Sequence, residues 1–363
     1  MIDSAGRGTV ENGCGTTKQH LFGTVPGLIF EREGGQKSIQ EKRHSGKQMR
    51  NYNRRAGKML SDLDFLREQG VDEALLRMVE EFRAEYPVQE GVKKRVARPS
   101  IPFYGREILE MSIAALLQGA NLLLSGAKAT GKNILAENLA WIFGRPSYNI
   151  SFNVNTDSSS LIGTDTFRNN EVTLRKGSVY RCAEEGGFGI FDEINMAKND
   201  AASVLHATLD HRRMIDVPGY DRIDLHPAVR FIGTMNYGYA GTKELNEALV
   251  SRFLVIDMPA LTRENLERIV RHDYPEIQKE ALEAFAGLFL DLQVKAQNGE
   301  ISTKAVDLRG LLAALGSIKI GLKACQAVQM GITNKAFDLF EREIVSDMVM
   351  TQIPEEWTKE QVF

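Results

Sequence analysis

Eight residues constrain this chain more than any others: Gly126-Ala127-Lys128-Ala129-Thr130-Gly131-Lys132-Asn133, set between the short apolar run Asn121 to Ser125 and the helical pattern Ile134 to Phe143. Glycines at 126 and 131 let the backbone curl so that successive N–H groups point inward, and the start of the helix adds a positive dipole. Lys132 then reaches the outer phosphates of a bound polyphosphate. Such a loop has to be fed by a buried strand and followed at once by a helix, which selects an α/β architecture with a parallel sheet. One position departs from the usual pattern. Asn133 stands where a Ser or Thr hydroxyl ordinarily ligates Mg²⁺; its amide oxygen is a hard ligand of similar reach, so metal binding is expected to be weakened rather than abolished.

The flanking pattern agrees with that architecture. Tyr148 to Asn153, Phe188 to Phe191, Val229 to Thr234 and Phe253 to Met258 are further short apolar runs, alternating with helical stretches such as Arg106 to Leu117. Together with Asn121 to Ser125 they predict five parallel strands flanked by helices. From Thr262 to about Thr351 the strand signal stops and about four helical stretches remain, a separate helical domain.

The run Phe188-Gly189-Ile190-Phe191 ends in Asp192-Glu193. A parallel strand is buried on both faces, so acids at its carboxyl end emerge at the crevice where ligands bind. Asp192 is read as the carboxylate that holds Mg²⁺ through its water shell, and Glu193 as the base that orients and deprotonates an attacking water.

Further motifs follow in order: Thr234-Met235-Asn236 at the end of the next strand, Ala248-Leu249-Val250-Ser251-Arg252-Phe253 before the last strand, and Asp307-Leu308-Arg309-Gly310 in the helical domain. With the loop and the acid pair, this series over about residues 100 to 320 resembles the AAA+ ATPases, and within them the MoxR group of the CbbQ and NorQ type. The resemblance implies a P-loop AAA+ αβα core with a five-stranded parallel sheet, then a small α-helical lid. It assigns Asn236 as sensor 1, Arg252 as the arginine finger and Arg309 as sensor 2. Each has a physical rationale: an amide beside the acid pair, a guanidinium at the domain rim able to reach a neighbouring subunit's phosphate, and a lid guanidinium able to swing onto the γ-phosphate.

Leu161 to Gly177, with Asn169-Asn170 at its centre, reads as a hairpin, and Arg213 to Leu225, with Pro218-Gly219 near its turn, as a second. They resemble the insert in helix two and the hairpin before sensor 1 of the same subgroup. Ile101, Phe103 and Tyr104 are placed to pack on a flat base, and the likeness implies an adenine pocket there with the lid. His206, Asp210 and His211 share one helical face but lack a further ligand of matching spacing, so they are read as helix surface rather than a metal site.

Composition closes other routes. Three cysteines far apart, Cys14, Cys182 and Cys325, provide neither a disulfide framework nor a two-armed thiolate zinc site, which points to a reducing cytoplasm. No apolar stretch reaches the roughly 20 residues of a membrane span, and the start of the chain lacks the pattern of an export signal. The formal charge of -3 hides an asymmetry, because residues 1–58 carry 11 Lys+Arg against 5 Asp+Glu and ten glycines. That segment is expected to be a flexible basic arm. The expected organisation is therefore an arm (1–58), a helical segment and linker (59–98), the nucleotide-binding core (99–260), the helical lid (261–353) and a tail (354–363). The expected activity is hydrolysis of ATP with Mg²⁺ by a homo-oligomeric ring, a hexamer, in which Arg252 completes the neighbour's site. By resemblance the ring remodels, activates or loads with metal a client protein, alongside a partner with a von Willebrand factor A domain; neither nucleic acid nor membrane is the expected partner. Two other readings stay open: a nucleotide-gated binding module that scarcely hydrolyses because of Asn133, and a DNA-dependent motor tethered by the basic arm.

Overall fold

Each apolar run marked above becomes a strand in the computed structural model, which describes residues 63–168, 170–197, 199–216, 220–236 and 245–363. The expected basic arm lies outside the described residues. The described chain opens with α1 (Asp64–Glu68) and α2 (Glu73–Glu85), which meet around Gly70 at φ 75°. A 3₁₀ turn over Glu90–Arg95 then leads to α3 (Arg106–Leu117), β1 (Asn121–Gly126), α4 (Lys132–Ile142) and β2 (Ser147–Ser151). Next come α5 (Ser158–Ile162), the hairpin β3 (Gly163–Arg168) and β4 (Glu171–Lys176), α6 (Ser178–Glu185) and β5 (Phe188–Asp192). The core ends with α7 (Asn199–Leu209), the short pair β6 (Met214–Ile215) and β7 (Ile223–Asp224), β8 (Arg230–Asn236), α8 (Glu247–Val250) and β9 (Phe253–Asp257).

The main sheet runs β2-β5-β8-β1-β9, with every neighbouring pair parallel. Leu122, Leu124, Phe188, Ile190 and Ile232 form one core with α1 to α4, while Leu123, Phe191 and Phe231 form another with α5 to α7. All six residues of β1 are buried, as a central parallel strand requires. The helices at 64–85, the helical part of the segment expected over 59–98, pack into the first core: Leu66, Leu76 and Val79, with Leu63 just before them, are buried there. Arg83 also donates to the last carbonyls of α4, Nε to Ile142 O at 2.8 Å and Nη2 to Trp141 O at 2.8 Å, satisfying helix-end acceptors.

The lid comprises α9 (Arg263–Asp273), α10 (Lys279–Gln297), α11 (Leu308–Lys319), α12 (Ala324–Gly331), α13 (Leu339–Gln352) and α14 (Lys359–Val362), with its own apolar core. The expected tail, 354–363, is instead a wall of this domain. Trp357 and Val362 are buried, the carbonyl of Trp357 accepts from Ala324 N at 2.9 Å, and that of Val362 accepts from Gln278 N at 2.9 Å. Pro354 and the polar residues after it hide this in the sequence, because two spaced apolar anchors carry no periodic signal.

Both expected hairpins form. Asn170 adopts φ 63° in the β3–β4 turn, the conformation that an Asn-rich hairpin turn favours. Phe167 and Val172 face each other across it, 72% and 62% exposed. The second is the pair β6–β7, whose residues 217–219 lie outside the described set. The Tyr220 hydroxyl donates to Asp165 Oδ1 at 2.8 Å, so the two hairpins touch. Among the described residues, no helix is long and apolar enough to cross a membrane.

Candidate nucleotide site

The loop after β1 has the backbone its glycines anticipate. Gly126 has φ 156°, and a Cβ there would lie 3.0 Å from Met258 O and 3.1 Å from Met258 Cβ. Gly131 caps α4 with φ 85°, and Ala129 takes φ 61°. Thr130 Oγ1 donates to Ala127 O at 3.0 Å and tightens the curl. Lys132 is 7% exposed. Its ammonium folds back into the loop, donating to Gly126 O at 2.9 Å, Ala127 O at 2.6 Å and Thr130 Oγ1 at 3.3 Å. Burial lowers its pKa from 10.5 to about 8, against the opposing pull of Asp192 and Glu193.

The acid pair sits across the same cleft. Asn133 Nδ2 donates to Asp192 Oδ1 at 3.0 Å, and Thr234 Oγ1 donates to that oxygen at 2.9 Å. A carboxylate only accepts, so the amide nitrogen of Asn133 faces it and the amide oxygen is left for a cation. A serine or threonine hydroxyl divides its proton and lone pairs in the same way. Asn133 thus ties the start of α4 to the acid-bearing strand, and its amide oxygen is the atom a cation would take. Asn133 Oδ1 and the carboxylates of Asp192 and Glu193 are a hard-oxygen set that fits Mg²⁺. Glu193 has φ 55° and ψ 46°, and its Oε1 accepts from Asn236 Nδ2 at 3.5 Å.

Lys128 to Ile134, Glu137, Asp192, Glu193, Thr234 and Asn236 line a cleft of about 350 Å³ together with Ser100 and Ile101 of the strap and the lid's Val306 to Arg309 and Leu312. The lid guanidinium expected there, Arg309, is thus brought to the phosphate loop. Of the three residues expected against a base, only Ile101 lines this cleft. Phe103 is buried beneath Gly105 and Gly131, and Tyr104 faces a second cavity beside Arg268. The strap bends at Ser100 and Ile101, and Asn138 holds the carbonyl of Ile101 and the N–H of Phe103, so neighbouring side chains leave it toward different surroundings. The apolar lining this cleft draws from the strap and the lid is Ile101, Val306, Leu308 and Leu312, with no aromatic ring among the described residues.

Arg252 stands apart from this cleft. It precedes β9, whose Phe253 pairs with Asn121 at the start of β1, whereas the loop begins at the other end. Five strand residues separate the two levels, about 17 Å. There Arg252 Nε donates to His206 O at 3.0 Å, its Nη1 to Ala248 O, and its Nη2 lies 3.9 Å from Asp210 Oδ2. Asp210 also binds Arg212 at 2.6 Å. Among the described residues no group of three His, Cys, Asp or Glu is placed to hold a metal; α7 ends at Leu209, so Asp210 and His211 lie in the turn after it rather than on one helical face with His206, and the Asp210 side chain is only 11% exposed.

Three contributors were not singled out in the sequence. Asn138, 1% exposed, pins the strap by donating to Ile101 O at 2.9 Å and accepting from Phe103 N at 3.2 Å. Glu137 faces the cleft one turn beyond Asn133, its carboxyl pKa raised by burial against the pull of Arg309. Thr234 shares the strand face of Asn236, two residues away, and that spacing was its one available signal.

A five-strand order with the acid-bearing strand separated from the phosphate loop by a single strand, closed by a helical lid, is the architecture of AAA+ P-loop proteins. The profile of the AAA domain (dynein-related subfamily) matches residues 121–253, and the chain belongs to that family. It is similar to the uncharacterized protein YojN of Bacillus subtilis, 30% identical over 272 residues that cover 74% of this chain and 89% of that one. An uncharacterized protein of Staphylococcus epidermidis is 29% identical over 248 residues, covering 67% and 94%. Among solved structures, the RuvB Holliday junction branch migration motor of Thermotoga maritima aligns at 17% identity with a TM-score of 0.41, over 71% of this chain and 73% of that one.

Proposed function

We propose that this chain binds and hydrolyses ATP as one subunit of a cytoplasmic homohexameric ring, a MoxR-type chaperone that remodels or activates a client protein. The reading rests on one observation above all: Lys132, Asn133, Asp192, Glu193, Asn236 and Arg309 converge on a single cleft. Lys132 and the loop N–H groups bind the phosphates, the Glu193 carboxylate takes the proton of an attacking water, and Asn236 holds that carboxylate in line. Bound Mg²⁺, held by Asn133 and through its waters by Asp192, would neutralise phosphate charge. Arg252, about 17 Å along the sheet from its own loop, is suited to a neighbour's cleft instead, which ties turnover to assembly. The exposed hairpin residues Phe167 and Val172 are the surface offered to the client. A von Willebrand factor A domain protein is the expected partner, and metal loading of an enzyme one form the activation takes.

The bond from Asn133 to Asp192, which joins the phosphate loop to the acid-bearing strand, supports hydrolysis over a nucleotide-gated binding module. The test is phosphate release at saturating ATP and Mg²⁺ beside Glu193→Gln. The variant should keep ATP affinity within about threefold and lose about 10²-fold or more in turnover, the scale of a general base. Equal turnover in both proteins refutes the assignment. Duplex DNA should leave turnover unchanged; stimulation that fades steeply with salt would instead make nucleic acid the client.

A further inference from the structure

The two acids at the tip of β5 are held by a residue of the neighbouring strand. Thr234 is 1% exposed, and its hydroxyl makes two bonds at once. Oγ1 donates to Asp192 Oδ1 at 2.9 Å and accepts from the backbone N–H of Glu193 at 3.4 Å. With Asn133 Nδ2 on the same oxygen, Asp192 Oδ1 carries two donors, while Oδ2 has no protein donor among the described residues. The carboxylate is thereby turned with one face spent on the protein and the other left for a cation's water shell. Glu193 is the more demanding case, because a non-glycine residue at φ 55° is disfavoured by its own Cβ. Its N–H has left the strand ladder at that bend, and the Thr234 hydroxyl accepts it. Two residues along the same face of β8, Asn236 Nδ2 meets the far end of the Glu193 side chain at 3.5 Å. One strand face thus fixes Glu193 at both its backbone and its carboxylate.

We propose that Thr234 is a positioning residue for hydrolysis, whose single hydroxyl sets both the rotamer of Asp192 and the left-handed backbone of Glu193. The inference rests on the ATPase reading above. It assigns Thr234 no contact with nucleotide, so its removal should damage the arrangement of the acids and leave the phosphate loop intact.

Thr234→Val keeps the shape and strand preference of the side chain and deletes the hydroxyl; Thr234→Ser keeps the hydroxyl. Steady-state turnover over a range of Mg²⁺ concentrations, and fluorescent ATP titrations with EDTA and with Mg²⁺, are measured for both and for wild type. Thr234→Val should lose about 10- to 100-fold in kcat, the usual cost of misplacing a reacting group by about an ångström, with KM for ATP within about threefold. The Mg²⁺ midpoint should rise, Thr234→Ser should recover most of the rate, and affinity in EDTA should match wild type in all three. The proposal is overturned if Thr234→Val keeps kcat and the Mg²⁺ midpoint within about twofold, if Thr234→Ser is as damaged as Thr234→Val, or if Thr234→Val loses ATP binding in EDTA, which marks a merely structural role. Wild-type protein that turns over no ATP sinks the ATPase reading instead; the Mg²⁺ midpoint of ATP binding then still decides the case for Thr234.

Discussion

Replacing Lys132 by Met should make the nucleotide-free protein more stable. The ammonium is almost wholly buried, and its pKa falls from 10.5 to about 8. At about 1.4 kcal/mol per tenfold change in proton affinity, holding that charge at pH 7 costs about 3 kcal/mol of folding free energy. Against this stand its bonds to Gly126 O and Ala127 O, worth about 1 kcal/mol each, and both carbonyls can turn to water once the cleft is vacated. The balance favours Lys132→Met by about 1–2 kcal/mol, or about 2–6 °C in Tm. The dependence on pH gives the sharper test. Between pH 8 and 10.5 the unfolded lysine keeps a proton that the folded one has released, so wild-type stability rises with pH across that window; Met has nothing to release. The advantage of the variant should be full at pH 7 and, with about 2.5 kcal/mol of that cost released, should give way to a wild-type advantage of about 1 kcal/mol by pH 10. Thermal unfolding by circular dichroism at pH 7, 8.5 and 10, without nucleotide, measures it. A variant less stable than wild type at pH 7, or a gap that does not narrow, would show that burial of Lys132 carries no such cost. Added ATP should reverse the ranking, since only wild type gains from ligand binding.

Arg252→Ala should bind ATP normally while turnover drops about 10³-fold, the least expected for a finger supplied in trans. Mixing it with Lys132→Met subunits should restore activity, because intact fingers then meet intact loops; a mixture as inactive as its parts rules out the trans arrangement. Gly126→Ala places a Cβ 3.0 Å from Met258 O at φ 156°. It should cost about 1–3 kcal/mol and weaken ATP binding at least tenfold, read by thermal unfolding and by titration; an unchanged affinity would mean that the loop does not depend on that bend.

Much of this molecule could be read in advance because its core is modular. A buried parallel strand must be a short apolar run, and ligand residues must follow its carboxyl end, so Lys132, Asp192 and Asn236 were legible before their strands had an order. Arg309 was legible only through likeness, since nothing local in Asp307-Leu308-Arg309 says that α11 faces the loop. Thr234 stayed hidden because its significance lies in the pairing of β5 with β8. The strap at 99–104 misled for a related reason: Ile101, Phe103 and Tyr104 are neighbours in sequence but are sorted to different surroundings by Asn138. The helices at 64–85 were recognisable as helices, but whether an amphipathic face meets the main core or stands off as a connector depends on partners such as Trp141 and Phe143 that periodicity does not name.

The bond between Tyr220 and Asp165 makes the two ribbons a single mechanical piece. One ribbon grows out of the chain before β5, and the other flows directly into β8, the strand that carries Thr234 and Asn236. A displacement of Phe167 thus has a path of covalent chain and one hydrogen bond to that strand, without crossing the sheet. Cutting that strut would leave two independent fingers, each free to yield to a load without telling the other.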